Sequence, residues 1–156
     1  MSKNSNLQNQ QQSGIRIVER YIKSIKFDSV KNTEKCPPLE NAQLQFGVPL
    51  EVFWVQHSNT QYEVGLRLKA EATHQNMHVF SLELSYGAIC ILSDMPEGEE
   101  KNNAINVICP TIIFPFARIV FAEITRDAGF QPVLLDNIDF ASIYANSKAN
   151  EKVAVN

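Results

Sequence analysis

Apolar and polar residues alternate with a period of two along the first part of the chain, then recur three or four apart. Residues 15–28 predict a first strand. Ile15, Ile17, Tyr21, Ile25 and Phe27 share one face; Arg16, Arg20, Ser24, Lys26 and Asp28, with Val18 and Ile22, share the other. Residues 29–48, with Cys36-Pro37-Pro38 and Phe46-Gly47, predict a long crossover loop. Leu50 to His57 predicts a second strand, and Ser58-Asn59-Thr60 a turn. The third strand sets Tyr62, Val64, Leu66, Leu68, Ala70 and Ala72 against Glu63, Arg67, Lys69, Glu71 and Thr73. After a turn at His74-Gln75-Asn76 the fourth sets Phe80, Leu82, Leu84, Tyr86, Ala88, Cys90 and Leu92 against Val79, Ser81, Glu83, Ser85 and Gly87.

The acidic loop from Asp94 to Glu100 ends the sheet. Helical spacing then runs through Ala104, Ile105, Ile108, Ile112, Phe116, Ile119, Phe121 and Ile124, with Gly129 as a C-terminal stop. Gln131-Pro132 opens an extended linker, and Asp139 caps a short last helix carrying Phe140, Ile143 and Tyr144. Strands first and helices afterwards predict an α+β fold, a four-stranded antiparallel sheet with helices against one side.

Within the long helix, Ile108 to Phe121 is almost wholly apolar yet holds Pro110 and Pro115, so the carbonyls of Asn106 and Thr111 lose their donors and a kink is expected. Fourteen helical residues reach only about 21 Å, short of a bilayer core of roughly 30 Å, which argues against membrane insertion. An apolar segment of this size on one subunit points to an interaction surface.

The 156 residues suit one domain, residues 15–146. Residues 1–14, with seven Asn or Gln, read as a disordered tail, and residues 147–156 as a flexible one. A net charge of −3 and a pI near 5.6 argue against a nucleic-acid partner. Cys36, Cys90 and Cys109 are odd in number and far apart, which fits reduced thiols in a cytoplasmic protein. The N-terminus has no apolar run of secretory-signal type.

Candidate chemistry is sparse. His74 and His78 stand four apart but flank a predicted hairpin turn, where their rings diverge, so no metal site is expected. Cys109 lies between Ile108 and Pro110, surroundings that raise a thiol pKa. The glycines form no phosphate-binding loop, and no carboxylate pair lies in apolar context. The expectation is a protein that is not an enzyme and needs no cofactor. Its aromatics, Trp54, Phe46, Phe53, Phe80, Phe140 and Tyr144 among them, exceed what one sheet face requires, which leaves some for a groove or a subunit interface.

The segment CPTIIFPFAR, Cys109 to Arg118, resembles the CP-x-I-x-FP-[FY]-AR signature of the SecB family of bacterial protein-export chaperones. GFQPVLLDNIDFASIY (Gly129 to Tyr144) and YEVGLRLKAEAT (Tyr62 to Thr73) are similar to further family segments, as are Arg16–Asp28 and Phe80–Ile89 less closely. The resemblance covers most of residues 15–146. It implies an α+β subunit assembled as a homotetramer, a dimer of dimers, that holds unfolded preproteins in the cytoplasm without nucleotide and hands them to the motor ATPase SecA. By resemblance, Asp28 and Glu83 match acidic positions on the SecA-facing surface, while two neighbouring acidic positions are here Ser24 and Ser81. Leu82, Leu84 and Tyr86, with Cys109 and Phe116 of the signature helix, match the oligomer interface. Leu50, Val52, Trp54, Phe140 and Tyr144 are the candidate client-binding residues. A SecB-like chaperone dedicated to one partner, such as an antitoxin, is an alternative, and a small-molecule-binding α+β domain is a third reading.

Overall fold

The computed structural model describes residues 14–154; the expected N-terminal tail, apart from Gly14, lies outside them. Five antiparallel strands run β1 Gly14–Ser29, β2 Gln45–Gly47, β3 Leu50–Gln56, β4 Gln61–His74 and β5 Met77–Ser93. The order across the sheet is β1-β5-β4, with β2 and β3 lying end to end along the far edge of β4. The sheet is therefore four strands wide, as expected, and the fifth strand is a three-residue piece of the crossover loop. β4 and β5 form a hairpin closed by Gln75 and Asn76, both at positive φ, the backbone that a two-residue turn between twisted strands requires.

Helix α1 (Glu99–Asn103) runs through a π-helical turn (Ala104–Ile108) into α2 (Cys109–Asp127). The two prolines do not break it. In the π-turn the Cys109 N–H reaches back to the carbonyl of Ala104, one residue further than in an α-helix. The ladder is thus reset just where Pro110 lacks a donor. The run Glu99–Asp127 spans 29 residues and contains an 18-residue window with a mean hydropathy of 1.9, long and apolar enough to cross a membrane. The length argument from the fourteen-residue segment accordingly fails; 44% of the apolar window is buried inside the subunit.

One face of α2 packs on the sheet through Cys109, Ile113, Ala117 and Phe121, recurring four apart, with Pro110 and Phe114 beside them. They meet the apolar faces of β4 and β5, where Val64, Leu66, Leu68, Leu82 and Leu84 are buried. The helix ends in a Schellman motif: Gly129 has φ 90°, the Phe130 N–H bonds Thr125 O at 3.1 Å, and the Gly129 N–H bonds Arg126 O at 2.9 Å. Helix α3 spans Phe140–Ala154, capped by Asp139, whose carboxylate accepts from the Ser142 N–H at 3.1 Å and from its hydroxyl at 2.7 Å. It is longer than expected, and most of the stretch read as a flexible tail is helical.

The first strand departs from its predicted faces. β-Bulges fall between Ile17 and Glu19 and between Ile22 and Ser24. Each inserts a residue and inverts the alternation. Between them Arg20 and Ile22 turn to the helix side, opposite Ala88 and Tyr86, while Tyr21 turns to the outer side opposite Gly87.

Candidate functional site

An apolar trough lies between the crossover loop and the linker that follows α2. The loop is tied to the sheet by the Val30 N–H on Val79 O at 3.0 Å, and turns at Asn32 and Asn41, both at positive φ. The linker is tied to α2 by Thr125, a buried residue whose hydroxyl oxygen accepts the Val133 N–H at 2.9 Å. From there the chain is extended, so Val133 and Leu135 point into the core while Leu134 points out and is 71% exposed. The trough has two depressions. One, of about 650 Å³, is lined by Leu39, Leu44, Phe46, Phe130 and Leu134. The other, of about 330 Å³, lies by Val48, Leu68 and Ile138, and shares Phe46, Val133 and Leu134 with the first. Phe80 supports both walls from below, its ring 5.9 Å from Phe46 and 4.7 Å from Phe130.

The predicted client-binding residues are scattered around this trough. Leu50 and Val52 are half-buried against the core, and Trp54 is 47% exposed with its ring 6.0 Å from Tyr62. Tyr144 is half-buried on α3 with the Lys148 ammonium 4.5 Å from its ring centre. Neither depression is lined by Val52, Trp54 or Tyr144. Phe140 requires correction: it is 2% exposed and packs edge-on against Phe114 at 5.9 Å, so it is a core residue that a client does not reach in this conformation. The linker was expected as an extended connection, but none of its residues was among the candidate client-binding ones. Its signal was the run Val133-Leu134-Leu135 after a proline, three apolar residues of which an extended backbone must turn one outward.

The outer sheet face carries Asp28 and Glu83, but its charges neutralise one another. Glu83 pairs with Lys69 at 3.4 Å and Glu51 with Arg67 at 3.4 Å. Lys26 stands opposite Glu83, and Ser81 opposite Asp28. In the middle of this face the Glu63 carboxylate is nearly buried and accepts from the Tyr21 hydroxyl and, at 2.5 Å, from the Lys23 ammonium. Burial would raise the Glu63 pKa, but the hydrogen bonds from Lys23 and then Tyr21 outweigh it and hold the carboxyl below its ordinary value. The Tyr21 hydroxyl is pushed up by burial and by its bond to that carboxylate.

The predicted interface residues divide. Leu82, Leu84 and Tyr86 are on the expected sheet face but are buried in the core of the same subunit, as is Cys109 on the sheet-facing side of α2, so none is available to a second one; this corrects their assignment. The Cys109 thiol is raised far above its usual range by its hydrogen bond with Cys90 and by burial. Phe116 does face outward. It lies with Ile112 and Ile119 on α2 and near Ile22 of β1, whose neighbour Arg20 stacks on the Phe116 ring at 3.4 Å. These apolar side chains are all exposed on the single subunit, as are Val18 and Ile25. They adjoin β1, a sixteen-residue strand at the edge of the sheet.

The family model described as preprotein translocase subunit SecB matches residues 8–151. A protein-export protein SecB of Parvibaculum lavamentivorans is 33% identical over 143 residues, 92% of this chain and 84% of the relative. One from Hyphomonas neptunium is 32% identical, over 83% of this chain and 76% of its own length. Among solved structures, a SecB-like chaperone of Mycobacterium tuberculosis, in complex with a ChAD peptide from an antitoxin, superposes with a TM-score of 0.67 at 13% identity. It covers 80% of this chain and 90% of its own, a likeness of fold. With the signature helix, the sheet order and the trough in place, the chain belongs to the SecB family of protein-export proteins.

Proposed function

We propose that this protein is an ATP-independent holdase of the cytoplasm, binding unfolded secretory precursors and delivering them to SecA. The observation that carries the reading is the exposed apolar trough lined by Phe46, Phe130 and Leu134. An unfolded client that buries an apolar side chain there gains about 1.5–3 kcal/mol per fully buried group. Three or four such anchors supply roughly 5–12 kcal/mol before the ordering cost of association. Repeated troughs on one tetramer then act together through effective concentration. Trp54, with Leu50, Val52 and Tyr144, extends the client path beyond the trough. A subunit partner covers Phe116, Ile119 and the β1 edge, since a long unpaired strand beside an apolar patch invites another chain.

The neutralised outer face favours a second reading, a chaperone dedicated to one partner. Asp28 and Glu83 remain the proposed SecA contacts, but a face of alternating charge steers a basic partner weakly. The structural neighbour's antitoxin peptide is consistent with this alternative.

The test is suppression of aggregation of a reduced, unfolded client by the wild-type protein and by Leu134→Asp and Phe46→Asp. Both side chains are exposed, so the fold is kept while the trough is charged. Loss of suppression supports the holdase; undiminished suppression by both variants rejects the trough. Pull-down with SecA at low salt separates general export from a dedicated partner.

A further inference from the structure

The two depressions of the trough carry charges of opposite sign. Lys31 is the ionisable side chain in the larger depression, and Asp136 the one in the smaller. Between them lie the shared apolar residues Phe46, Val133 and Leu134. The Lys31 ammonium donates to the carbonyl of Gly129, at the C-terminal end of α2, and stands 4.8 Å from the Phe130 ring centre. That end of a helix attracts a cation, so the ammonium is held at the trough wall rather than swinging free. One of its three donors is used there. Among the described residues no carboxylate forms an ion pair with Lys31, and no cation forms one with Asp136.

We propose that the trough selects extended apolar segments flanked by a carboxylate on one side and a cation on the other. This rests on the holdase reading and names the client class of that same site. An apolar segment seated over Phe46 and Leu134 brings its flanks to the two depressions. A carboxylate reaching Lys31 gains a charge-assisted hydrogen bond beside apolar walls, where the field is screened less than in bulk water. A cation reaching Asp136 gains likewise. A segment with two like-charged flanks meets repulsion at one end, whichever direction its backbone runs.

The experiment uses four synthetic peptides sharing one Leu- and Phe-rich centre, prepared with centres of several lengths. Their flanks are Glu and Lys, Glu and Glu, Lys and Lys, or Gln and Gln, and binding to the full-length protein is followed by fluorescence anisotropy. The Glu/Lys peptide is expected to bind roughly three- to tenfold tighter than either like-charged peptide at low salt, an advantage that shrinks as salt rises. In Lys31→Glu the Lys/Lys peptide becomes the tightest, and in Asp136→Lys the Glu/Glu peptide does. Equal affinities for the three charged peptides, or a ranking that neither variant changes, overturns the inference. The Gln/Gln peptide reads the trough itself: if it binds and is lost in Leu134→Asp, the holdase site stands whatever the charged peptides do. If no peptide of the set binds, the holdase reading fails and this inference with it.

Discussion

Tyr21 on β1 donates its hydroxyl to Glu63 on β4, reaching over the whole width of the intervening strand β5. The crossing is possible because the residue beneath is Gly87. In register, Tyr21 faces Gly87, Gly87 faces Gly65, and Gly65 faces Phe53, so two aromatic side chains flank a pair of glycines in one row across the sheet. Phe53 is held over Gly65 with the Arg67 guanidinium 4.5 Å and the Lys23 ammonium 5.2 Å from its ring centre. Rings thus fill the space that side chains on the central strands would take.

The row makes the two glycines unequal. A Cβ on Gly87 would stand 3.2 Å from Tyr21 Cε2 and 3.3 Å from Lys23 Cδ, so those flexible side chains can give way. A Cβ on Gly65 would overlap the Phe53 ring and lie 2.8 Å from the backbone carbonyl of Tyr86, which cannot. Gly65→Ala is expected to destabilise by roughly 1–3 kcal/mol and Gly87→Ala by less. Urea midpoints of the two variants check the order; equal midpoints would show that Phe53 is not seated as described.

The carboxylate at the centre of this row makes stability depend on acid. Because the Glu63 pKa is lowered on folding, the unfolded chain takes up its proton first as pH falls. The stabilisation is complete above the ordinary value of 4.5 and is lost as pH drops through it toward the lower folded value. Glu63→Gln should be less stable than wild type at neutral pH, by about 1–3 kcal/mol, and the gap should close as pH falls through 4.5 and below. Urea titrations across that range read the gap directly, and a gap independent of pH would remove Glu63 from the account.

How much of this was legible from the residues depended on whether one period described a segment. β4 and β5 alternate cleanly over Tyr62 to Ala72 and Phe80 to Leu92, and those faces came out as predicted. A register shift at Ala72 and Thr73 breaks the pattern near the turn, and Val79, expected on the polar face, is fully buried. β1 does not alternate cleanly, since the extra residues near Val18 and Lys23 are invisible to a count of twos, and Tyr21 and Ile22 were given each other's faces. Leu82, Leu84 and Tyr86 were placed on the right face but given the wrong cover, because period says which way a side chain points and nothing about which chain meets it. Phe140 failed for a related reason: an aromatic at a helix start reads the same in a core as in a groove. The trough eluded the sequence because its walls come from two irregular segments, residues 30–49 and 128–139, brought together by the Schellman turn at Gly129 and the bond from Val133 to Thr125.

That last bond sets up a further expectation. The Thr125 hydroxyl donates within its own helix, to Ala122 O at 2.9 Å and Phe121 O at 3.1 Å, and accepts the Val133 N–H. Thr125→Val keeps shape and volume close to the original while leaving the Val133 N–H buried without an acceptor, at a cost of about 1–3 kcal/mol. Since the lost acceptor anchors the linker, the variant should also speed amide exchange at Val133. Hydrogen exchange at native pH would test this, and protection at Val133 equal to wild type would contradict it.

The outward face of α2 supplies the final prediction. The helix is apolar on two sides, and its own sheet covers one, through Ile113, Ala117 and Phe121, leaving Ile112, Phe116 and Ile119 exposed. Ile119, at 54% exposure, makes little contribution to the fold of the isolated subunit, so Ile119→Arg should leave its thermal unfolding nearly unchanged at low protein concentration. In an assembly covering this face the same change buries an unpaired cation against another subunit, which costs several kcal/mol per interface. The mass in solution should therefore fall from that of such an assembly toward smaller species, as measured by light scattering on a sizing column. Arg20, stacked on Phe116, already places one cation on this face with an aromatic partner; a second without one has no such compensation. An unchanged mass for Ile119→Arg would mean that subunits associate through another surface, leaving the apolar side of α2 to be covered by something other than a second copy.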